Sequence, residues 1–564
     1  MIDAMLADLS AAPTSITRDT RGEQMFPRLD ADEVERMRRF GETQHYRAGD
    51  FLAQVGDPGL GLRLILRGSL EVSQRLARGG RFVIVTHSTG EFQGELAQLS
   101  GRPSLVDAVA TSDVEALLIS PRSLRALLVA EADLGEKIMR ALILRRVGLI
   151  ESGGGGPVIV GPAEHIDVLR LETFLSRNGH PFSLLDPESD PCARTLVEQF
   201  EIGREELPIV LCPGGQLLRN PAEGALARCI GMLGAIDPDR VYDVIIVGAG
   251  PAGLAASVYA ASEGLEVLTL DCRSFGGQAG ASARIENFLG FPTGISGMAL
   301  MARAYNQAQK FGVELAIPDE ALRLECPSGE GEARHTLTLA NGEEARARTV
   351  VIATGARYRR LDIDGVERFE GASVHFWASP IEARLCTGQA VGLVGGGNSA
   401  GQAAIFLARH ASRVTLFARR PLSQTMSRYL IERIAAQPNI EVLEGAEIAD
   451  LEGEGNALQT LNWRRRGEEA LHRLPMRHLF LFIGADPYTD WLADTGIRLD
   501  PRGFIVAGTD AGEDRLPLET SRSGIFAVGD VRAGSVKRVA AAAGDGAQVV
   551  ATIHAYLERE EGRP

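Results

Sequence analysis

Residues 242–271 read YDVIIVGAGPAGLAASVYAASEGLEVLTLD, which is a buried-strand pattern followed by a glycine-rich turn, a helix of small residues and a second strand. Gly248 allows the tight turn after the first strand, and Gly250 lets the backbone approach a pyrophosphate at the start of the helix. Gly253 permits close packing of the helix on the strand. Asp271 ends the second strand, where a carboxylate can accept hydrogen bonds from an adenosine ribose. The stretch therefore predicts a dinucleotide-binding unit.

A second unit with the same pattern occupies residues 389–421, QAVGLVGGGNSAGQAAIFLARHASRVTLFARRP. Its second strand ends in Arg419 and Arg420 rather than in an acid. Two guanidinium groups at this place suit the 2′-phosphate of NADP, whereas an acid favours NAD. We therefore expect NADPH here; the alternative is that the two arginines belong to a solvated loop. The residues expected to contact this cofactor are Gly395, Gly397, Asn398, Ser399, Ala400, Arg419 and Arg420.

The length and composition limit the classes of protein to consider. A chain of 564 residues is too long for one hydrophobic core and predicts roughly three to four domains. With 45% hydrophobic and 24% charged residues, every large segment can fold. The net charge of −15 argues against a nucleic-acid partner. Since the sequence shows neither a signal peptide nor a run of about 18 apolar residues, we expect a cytoplasmic protein with no membrane partner.

The cysteines show no pattern typical of a disulfide framework or a metal site. No CxxC occurs in the chain. Sparse cysteines without regular spacing are typical of reduced thiols in a cytosolic protein, so we expect neither a disulfide framework nor a bound metal. The six cysteines are Cys192, Cys212, Cys229, Cys272, Cys326 and Cys386.

Two further segments accompany the dinucleotide units. TVVIATGARYRRLDIDG (349–365) contains an ATG turn at the end of a strand, and TSRSGIFAVGDVRAGSVKRVAAAAGDGAQVV (520–550) contains a GD motif. Together with the GGQ segment (276–278) and ENFLGFP (286–292), these motifs make the C-terminal half similar to the low-molecular-weight thioredoxin reductases.

The resemblance implies a domain order and a set of cofactor contacts. The FAD-binding domain would comprise residues 240–355 and 490–564, with the NAD(P)H-binding domain of residues 356–489 inserted between the two parts. Asp530 would bind the ribityl or phosphate region of FAD, and Asn287 would line the isoalloxazine pocket. The last helix would point its N-terminus at the pyrimidine edge of the flavin, where the helix dipole stabilises negative charge. The implied FAD contacts are Gly248, Gly250, Gly253, Asp271, Gly277, Gln278, Asn287, Thr354, Gly355, Gly529, Asp530, Lys537, Arg538 and Val539.

The segment before the second glycine-rich turn departs from the family. In the thioredoxin reductases this segment carries the redox CxxC, and counting back from Gly395 places the two cysteines at Ala378 and Ile381. A one-residue gap would move them to Trp377 and Pro380. Neither alignment supplies a thiol. A disulfide reductase of this type needs one thiolate that exchanges with its substrate and a second one beside the flavin.

Two residues of HFWASPIEARLC (375–386) remain candidates for catalysis. Glu382 stands where the family has the acid after its CxxC, so it could relay a proton to the flavin; the alternative is a solvated helix residue. Cys386 could be redox-active or simply packed. Neither residue restores a dithiol mechanism.

Short alternating strands with glycine turns occupy residues 40–128 and predict a small β-barrel or jelly roll. With GELAQL at the phosphate-cassette position, the segment resembles the cyclic-nucleotide-binding domains of bacterial regulators. In that family a Gly-Glu pair holds the ribose and an arginine pairs with the cyclic phosphate. Gly94 and Glu95 are present, but Ser104 stands at the arginine position, with Arg102 two residues earlier. We therefore expect residues 1–150 to form a degenerate domain of this kind with a connector helix.

A helix and a third domain follow the β-roll. EKIMRALILRRVGLIE (136–151) has the apolar spacing of an amphipathic connector or dimerisation helix, and SGGGG (152–156) predicts a flexible hinge. Residues 157–235 alternate strands and helices and resemble a thioredoxin or glutaredoxin domain without CxxC. The resemblance implies a cis peptide between Leu207 and Pro208. We interpret this domain as structural or as a docking module.

The sequence thus predicts a multidomain α/β protein with two Rossmann-like domains of thioredoxin reductase type, preceded by a β-roll and a thioredoxin-like domain. We expect an FAD-dependent NADPH oxidoreductase, functioning as a homodimer, that passes electrons to a small-molecule or protein acceptor, including a thioredoxin- or ferredoxin-like partner. Two alternatives remain. One is a thioredoxin-disulfide reductase that uses other thiols, and the other is a flavin-based redox sensor.

Overall fold

The computed structural model describes residues 15–75, 81–152, 155–199, 202–203, 206–213, 215–282, 284–327, 334–378 and 380–562. The chain divides into two compact units. One comprises Met1–Ala235 with Gln307–Pro318, and the other comprises Ile236–Asn306 with Asp319–Pro564. None of the helices in the described ranges is long and apolar enough to cross a membrane.

The first unit begins with a roll of two four-stranded antiparallel sheets. The strands are β1 (Glu42–Tyr46), β2 (Phe51–Ala53), β3 (Leu62–Arg67), β4 (Ser69–Arg75), β5 (Arg81–Ser88), β6 (Phe92–Gln93), β7 (Asp107–Ala110) and β8 (Val114–Ile119). One sheet has the order β1-β8-β3-β6 and the other β2-β7-β4-β5. The glycine turns between short strands predicted this roll because each turn reverses the chain into an antiparallel neighbour.

Four helices accompany the roll, namely α1 (Ile16–Met25), α2 (Ala31–Arg38), α3 (Pro121–Ala130) and α4 (Ala132–Ser152). A capping box starts α2, because the Asp30 and Glu33 side chains each accept a hydrogen bond from the other's backbone N–H. The predicted amphipathic helix over 136–151 is confirmed as part of α4. Its residues Ile138 and Leu142 are buried in the same core as Leu64 of β3.

The next segment forms a mixed four-stranded sheet with three helices. Its elements are β9 (Val158–Val160), α5 (Ile166–Arg177), β10 (Ser183–Leu185), α6 (Pro191–Gln199), β11 (Ile209–Leu211), β12 (Leu217–Arg219) and α7 (Glu223–Cys229). The order is β10-β9-β11-β12, in which only β9 and β10 are parallel. β11 and β12 form an antiparallel pair, and α7, which the sequence pattern did not predict, follows them. The expected cis peptide between Leu207 and Pro208 is present.

The expectation that the cysteines remain unpaired is wrong at one place. Cys212, directly after β11, forms a disulfide with Cys229, the last residue of α7. The two are 17 residues apart in sequence, and the β12 hairpin and α7 return the chain so that their Cα atoms lie 6.2 Å apart. Sequence spacing could not reveal this pair because its proximity depends on the unpredicted helix. Cys272, Cys326 and Cys386 are free thiols, and the Cys192 side chain lies outside the described residues.

The glycine run between α4 and β9 is packed at its end. Gly153 and Gly154 of the predicted hinge lie outside the described residues. A Cβ on Gly155 would lie 1.9 Å from the Leu105 carbonyl oxygen, and one on Gly156 would lie 1.7 Å from that of Pro181. Since backbone passes directly over backbone at both glycines, they serve close packing and not flexibility alone.

The rest of the chain contains two sheets of parallel character. Its elements in order are β13 (Val241–Val247), α8 (Pro251–Ser262), β14 (Val267–Leu270), α9 (Gly277–Gly280), α10 (Gly297–Lys310), β15 (Glu314–Ala316), β16 (Ala321–Glu325), β17 (His335–Leu339), β18 (Glu344–Ile352), β19 (Ala356–Tyr358), β20 (Val374–His375), α11 (Pro380–Leu385), β21 (Ala390–Val394), α12 (Asn398–Leu407), β22 (Arg413–Ala418), α13 (Arg428–Ala435), β23 (Ile440–Glu444), β24 (Ala446–Glu454), β25 (Ala457–Arg465), β26 (His472–Pro475), β27 (His478–Leu481), β28 (Ala485–Pro487), β29 (Ile525–Ala527) and α14 (Val539–Glu561).

Each of the two sheets has a glycine-rich turn at the carboxyl end of an inner strand. In the first sheet β13 pairs in parallel with β14 and β18, and β18 pairs in parallel with β29. In the second sheet the order is β20-β27-β21-β22-β23, with every neighbouring pair parallel. The turns that follow β13 and β21 therefore open where dinucleotides bind in such sheets.

Candidate functional site

The first glycine-rich turn uses its glycines for close approach. Gly248 has φ of +113°, and a Cβ there would lie 2.3 Å from the Ala353 carbonyl oxygen. A Cβ on Gly253 would lie 1.8 Å from the Gly248 carbonyl oxygen. No other residue fits these two positions without moving the backbone. The turn is therefore held against both its own helix and the ATG turn.

The start of α8 can accept a pyrophosphate. Gly250 is the N-cap of this helix, and no side chain caps the amides of the first turn. A Cβ on Gly250 would meet only the Gly277 Cα, at 4.0 Å, so the space in front of these amides is open. Uncapped N–H groups, the helix dipole and open space are what the diphosphate of a dinucleotide requires, so these residues fit FAD.

Asp271 holds backbone together at the end of β14. Its carboxylate accepts hydrogen bonds from the backbone N–H groups of Ala249, at 2.9 Å, Arg273, at 3.0 Å, and Ser274, at 3.1 Å. The side chain expected to bind an adenosine ribose thus also fixes the glycine-rich turn to the second strand.

The GGQ segment and the ATG turn are tied to each other and to the first glycine-rich turn. The Gly276 N–H donates to the Ala249 carbonyl oxygen at 2.7 Å, and a Cβ on Gly277 would lie 3.2 Å from the Gly250 Cα. The Gln278 side chain donates to the carbonyl oxygen of Ala356 at 2.7 Å. The Thr354 hydroxyl donates to the Tyr488 carbonyl oxygen at 3.1 Å, whereas Gly355 has open space around it and Asn287 is exposed.

The GD motif is fastened to the last helix. The Gly529 N–H donates to Asp545 of α14 at 3.1 Å, and Asp545 forms an ion pair with Arg532 at 3.2 Å. Burial raises the pKa of the adjacent Asp530 carboxyl above its ordinary range, and Lys537 opposes that shift. Lys537 donates to the Asp530 backbone oxygen.

The helix predicted after this motif begins where expected. Arg538, which is exposed, is the N-cap of α14, and Val539 is its first residue. No side chain caps the first turn, so its amides and the positive end of the helix dipole stay open.

The second glycine-rich turn repeats the arrangement of the first. Gly395 has φ of +152°, and a Cβ there would lie 2.5 Å from the Phe482 carbonyl oxygen. Gly397 is the N-cap of α12, with no atom within 4 Å of an added Cβ. The Asn398 side chain accepts from the Ser427 N–H at 2.7 Å, Ser399 is exposed, and Ala400 is buried against the turn. The open first turn of α12 fits a second dinucleotide.

Arg419 and Arg420 follow β22 directly, and both are exposed. Among the described residues, neither guanidinium has a hydrogen-bond or ion-pair partner. Their charges are therefore available to a phosphate.

The vacant dithiol segment is closed by packing. Ala378 is buried in the core beneath β21, together with Cys386. Burial raises the pKa of the Cys386 thiol to about 12, so a thiolate does not form there at neutral pH. The Ile381 side chain lies outside the described residues. Glu382, proposed alternatively as a solvated helix residue, is instead buried and accepts a hydrogen bond from the Trp377 indole N–H at 2.9 Å.

Sequence reasoning missed three residues that hold these parts together. Asp545 joins Gly529 to α14, and Trp377 orients Glu382. The Tyr488 carbonyl oxygen accepts a hydrogen bond from the Thr354 hydroxyl, and the Tyr488 hydroxyl donates to Glu320 at 2.7 Å. Burial and the Glu320 contact raise the pKa of Tyr488 to about 12. Of these contacts, only the one between Trp377 and Glu382 could have been predicted from the sequence, because the two residues lie within one short segment.

The β-roll cassette is occupied by the protein's own side chains. Glu95, the residue expected to hold a ribose, is buried and forms a bidentate ion pair with Arg146 of α4, at 3.0 and 3.2 Å. At the expected arginine position, the Ser104 hydroxyl donates to the Val106 carbonyl oxygen at 2.8 Å. Of the two polar groups that a cyclic nucleotide needs, the glutamate is therefore paired with Arg146 and the arginine is replaced by Ser104.

Two dinucleotide-binding sheets with open helix starts define a two-nucleotide flavoprotein of thioredoxin reductase type. Comparison with protein families agrees, since the pyridine nucleotide-disulphide oxidoreductase model matches residues 242–546. The chain belongs to this family, whose cofactors are FAD and NADPH. A cyclic nucleotide-binding domain model matches residues 43–131.

Individual relatives cover the same half of the chain. Thioredoxin reductase of Streptomyces coelicolor is 33% identical over 318 residues, which are 56% of this chain and 94% of that protein. One of the alkyl hydroperoxide reductase subunits, from Pseudomonas putida, is 32% identical over 325 residues, which are 57% of this chain and only 60% of that protein. The crystal structure of Lactococcus lactis thioredoxin reductase matches with a TM-score of 0.51 and 28% identity, covering 56% of this chain and 99% of that one.

Proposed function

We propose that the chain oxidises NADPH through FAD and passes the electrons to an external acceptor without a protein dithiol between them. The observation that carries this proposal is the filled dithiol segment. Ala378 contributes a methyl group to the core, and the one cysteine of residues 375–386, Cys386, is buried with a raised pKa. Each turnover removes a hydride, which is two electrons and a proton, from NADPH; the acceptor takes up the electrons, and the proton passes to the reduced acceptor or to water.

Hydride transfer is the chemistry that a flavin and a nicotinamide supply. The contribution of the chain is to bind and orient the two cofactors. The open first turns of α8 and α12 receive the diphosphates, and Arg419 and Arg420 receive the 2′-phosphate. Glu382, oriented by Trp377, is the group that would relay a proton to the flavin from the vacant dithiol segment.

The stoichiometry of reduction tests the proposal. In an anaerobic titration of the FAD-loaded protein, flavin bleaching should end at about one equivalent of NADPH, whereas a dithiol enzyme would consume about two. No long-wavelength thiolate-to-flavin band should form. Cys386→Ser should leave the end point and the rate of flavin reduction unchanged. A second equivalent consumed by the wild type, or a variant that reduces its flavin normally but no longer passes electrons to an acceptor, would refute the proposal.

The Cys212–Cys229 disulfide supports a second candidate, reduction of a thioredoxin-type disulfide with thiols from elsewhere in the chain. The fold of residues 157–235, with its β10-β9-β11-β12 sheet, supports its assignment as a thioredoxin-like domain. Cys229→Ser discriminates the two functions. It should leave NADPH-driven reduction of a quinone unchanged, and loss of NADPH-driven reduction of a thioredoxin-type disulfide would favour the thiol route. Steady NADPH oxidation with any acceptor separates both enzymes from a sensor, which is reduced once and stops.

The proposed location and assembly of the protein are those that its sequence predicts. We place the protein in the cytoplasm as a homodimer, with the four domains bounded as the sequence predicts. The three free thiols among the described side chains support a reducing compartment, whereas the Cys212–Cys229 disulfide is more typical of an oxidising one. The acceptor is a small molecule such as a quinone or oxygen, or a ferredoxin-like protein.

A further inference from the structure

A cavity of about 60 Å³ lies inside the β-roll, between strands β4 and β5 and helices α1 and α4. Its walls are mainly aliphatic and aromatic, and they include Val72, Phe82, Ile84 and Val106. Since a single water molecule needs about 10–15 Å³ of such cavity volume, the space holds several waters or one ring-sized organic molecule.

Arg145 of α4 places a buried cation at this cavity. Its Nε donates to the Met25 carbonyl oxygen at 2.9 Å, and one terminal nitrogen donates to those of Phe92, at 3.0 Å, and Gly94, at 2.7 Å. The other terminal nitrogen is buried and has no hydrogen-bond partner among the described residues. Burial lowers the pKa of Arg145 only to about 9, so the side chain is a cation at neutral pH.

Among the described residues, no carboxylate forms an ion pair with Arg145. The Glu91 and Glu95 carboxylates favour its charge through space, and Glu95, which also lines the cavity, is itself paired with Arg146. The guanidinium of Arg145 lies over the rings of Phe26 and Phe92. Its remaining terminal nitrogen is a buried donor without an acceptor within the described ranges, which is costly unless an oxygen reaches it. A carboxylate from outside the chain would supply that oxygen in a charge-assisted hydrogen bond.

Gln74 of β4 presents a second unpartnered donor at the same cavity. Its side-chain oxygen accepts from the Ser152 hydroxyl at 3.2 Å, while its amide nitrogen is buried and has no partner in the described part of the chain. His87, also at the cavity wall, has its Nδ1 3.6 Å from the Glu91 carboxylate, and burial lowers its pKa, so the ring is neutral. One cation and one amide donor in an apolar enclosure match the two oxygens of a carboxylate.

We infer that this cavity binds a small carboxylic acid with an apolar aryl or alkyl body, its carboxylate on Arg145 and Gln74 and its body among the apolar walls. The inference is independent of the redox function proposed above. It also differs from nucleotide binding, because the Glu95 carboxylate that would hold a ribose is committed to Arg146 and no arginine stands at Ser104.

Calorimetric titration of the full chain with benzoate tests the inference, with benzyl alcohol as the neutral probe and cyclic AMP as the nucleotide probe. Benzoate should bind at least about tenfold more tightly than benzyl alcohol, because only the carboxylate pairs with the guanidinium. Cyclic AMP should show no binding below the millimolar range. Equal affinity for benzoate and benzyl alcohol, no benzoate binding at all, or tighter binding of cyclic AMP than of benzoate would overturn the inference.

Variants assign the two donors. Arg145→Met should weaken benzoate binding by about tenfold or more, and Arg140→Met is the matched control, since Arg140 on the same helix is exposed and paired with Glu136. Because Arg145 also ties down three carbonyl groups, Gln74→Leu provides an independent variant that removes a donor while keeping the side chain's bulk. It should weaken benzoate severalfold with an unchanged melting temperature. Unaltered benzoate affinity in Gln74→Leu would contradict the assignment even if Arg145→Met failed to fold.

Discussion

Arg419 and Arg420 show how a single pair of residues sets cofactor choice. The acid that ends the second strand of the first unit, Asp271, is engaged with three backbone amides, whereas the two arginines at the same place of the second unit are exposed and lack protein partners among the described residues. A guanidinium left open at the end of such a strand recognises a phosphate on the adenosine ribose.

We predict that replacing both Arg419 and Arg420 by alanine removes the preference for NADPH. Each charged contact with the 2′-phosphate is worth about 1.5–3 kcal/mol, so the wild type should prefer NADPH to NADH by about tenfold or more, and the double variant should lose that factor. Stopped-flow flavin reduction with each nucleotide measures it.

Arg413→Ala is the control for this prediction, because Arg413 begins the same strand and forms an exposed ion pair with Glu441. It should leave the ratio of rates unchanged. Equal rates and affinities of the wild type with NADPH and NADH would show that the arginines do not select the cofactor.

Among the elements, the packing of α14 on α8 holds the two parts of the FAD domain together. A Cβ on Gly546 would lie 2.3 Å from the Ala252 carbonyl oxygen, and one on Gly529 would lie 2.9 Å from the Ala252 Cβ. Small residues therefore let the last helix lie directly on the helix that begins at the first glycine-rich turn. Through Asp545, the same helix also holds the GD motif.

Gly546→Ala should destabilise the FAD domain, because its methyl group would collide with backbone that cannot give way. The expected cost is about 1–3 kcal/mol, with a lower melting temperature and less bound flavin after purification. Gly544→Ala, two residues earlier on the same helix, meets nothing within 4 Å and should raise stability by about 0.5–1 kcal/mol through helix propensity. Similar melting temperatures for the two variants would show that the helices do not depend on this contact.

At the scale of the whole molecule, buried neutral histidines occur in both units. Burial lowers the pKa of His180 to about 3 in the first unit. In the second unit it lowers the pKa of His335 to about 4, and those of His375 and His478 to about 3 and about 4. The last two rings share a hydrogen bond of 3.1 Å. Since each ring titrates near 6.5 once unfolded, each favours the folded state most when the pH is high.

We therefore predict that stability is fully present above about pH 6.5 and falls as the pH drops toward 4. Over that window each of these histidines gains a proton on unfolding, which contributes a slope of about 1.4 kcal/mol per pH unit. Melting temperatures measured at several pH values test this. His335→Leu should flatten the slope, whereas His410→Gln, at an exposed position, should not. A melting temperature independent of pH over this range would contradict the prediction.

Features that depend on neighbouring residues could be predicted from the sequence. The two glycine-rich turns, the start of α14 at Val539 and the missing CxxC were all readable, because a tight turn, a helix N-terminus or a motif requires particular residues within a few positions. For the same reason the β-roll strands and the amphipathic run in α4 were predicted.

Which distant side chains meet is visible only in the folded structure. It joined Cys212 to Cys229, paired Glu95 with Arg146, buried Glu382 against Trp377 and left one terminal nitrogen of Arg145 beside a cavity with no acceptor among the described residues. No local pattern specifies such partners, because each depends on how elements far apart in the chain pack together. Burial then turns an ordinary cysteine, glutamate or arginine into a group whose charge and partners the sequence alone does not state.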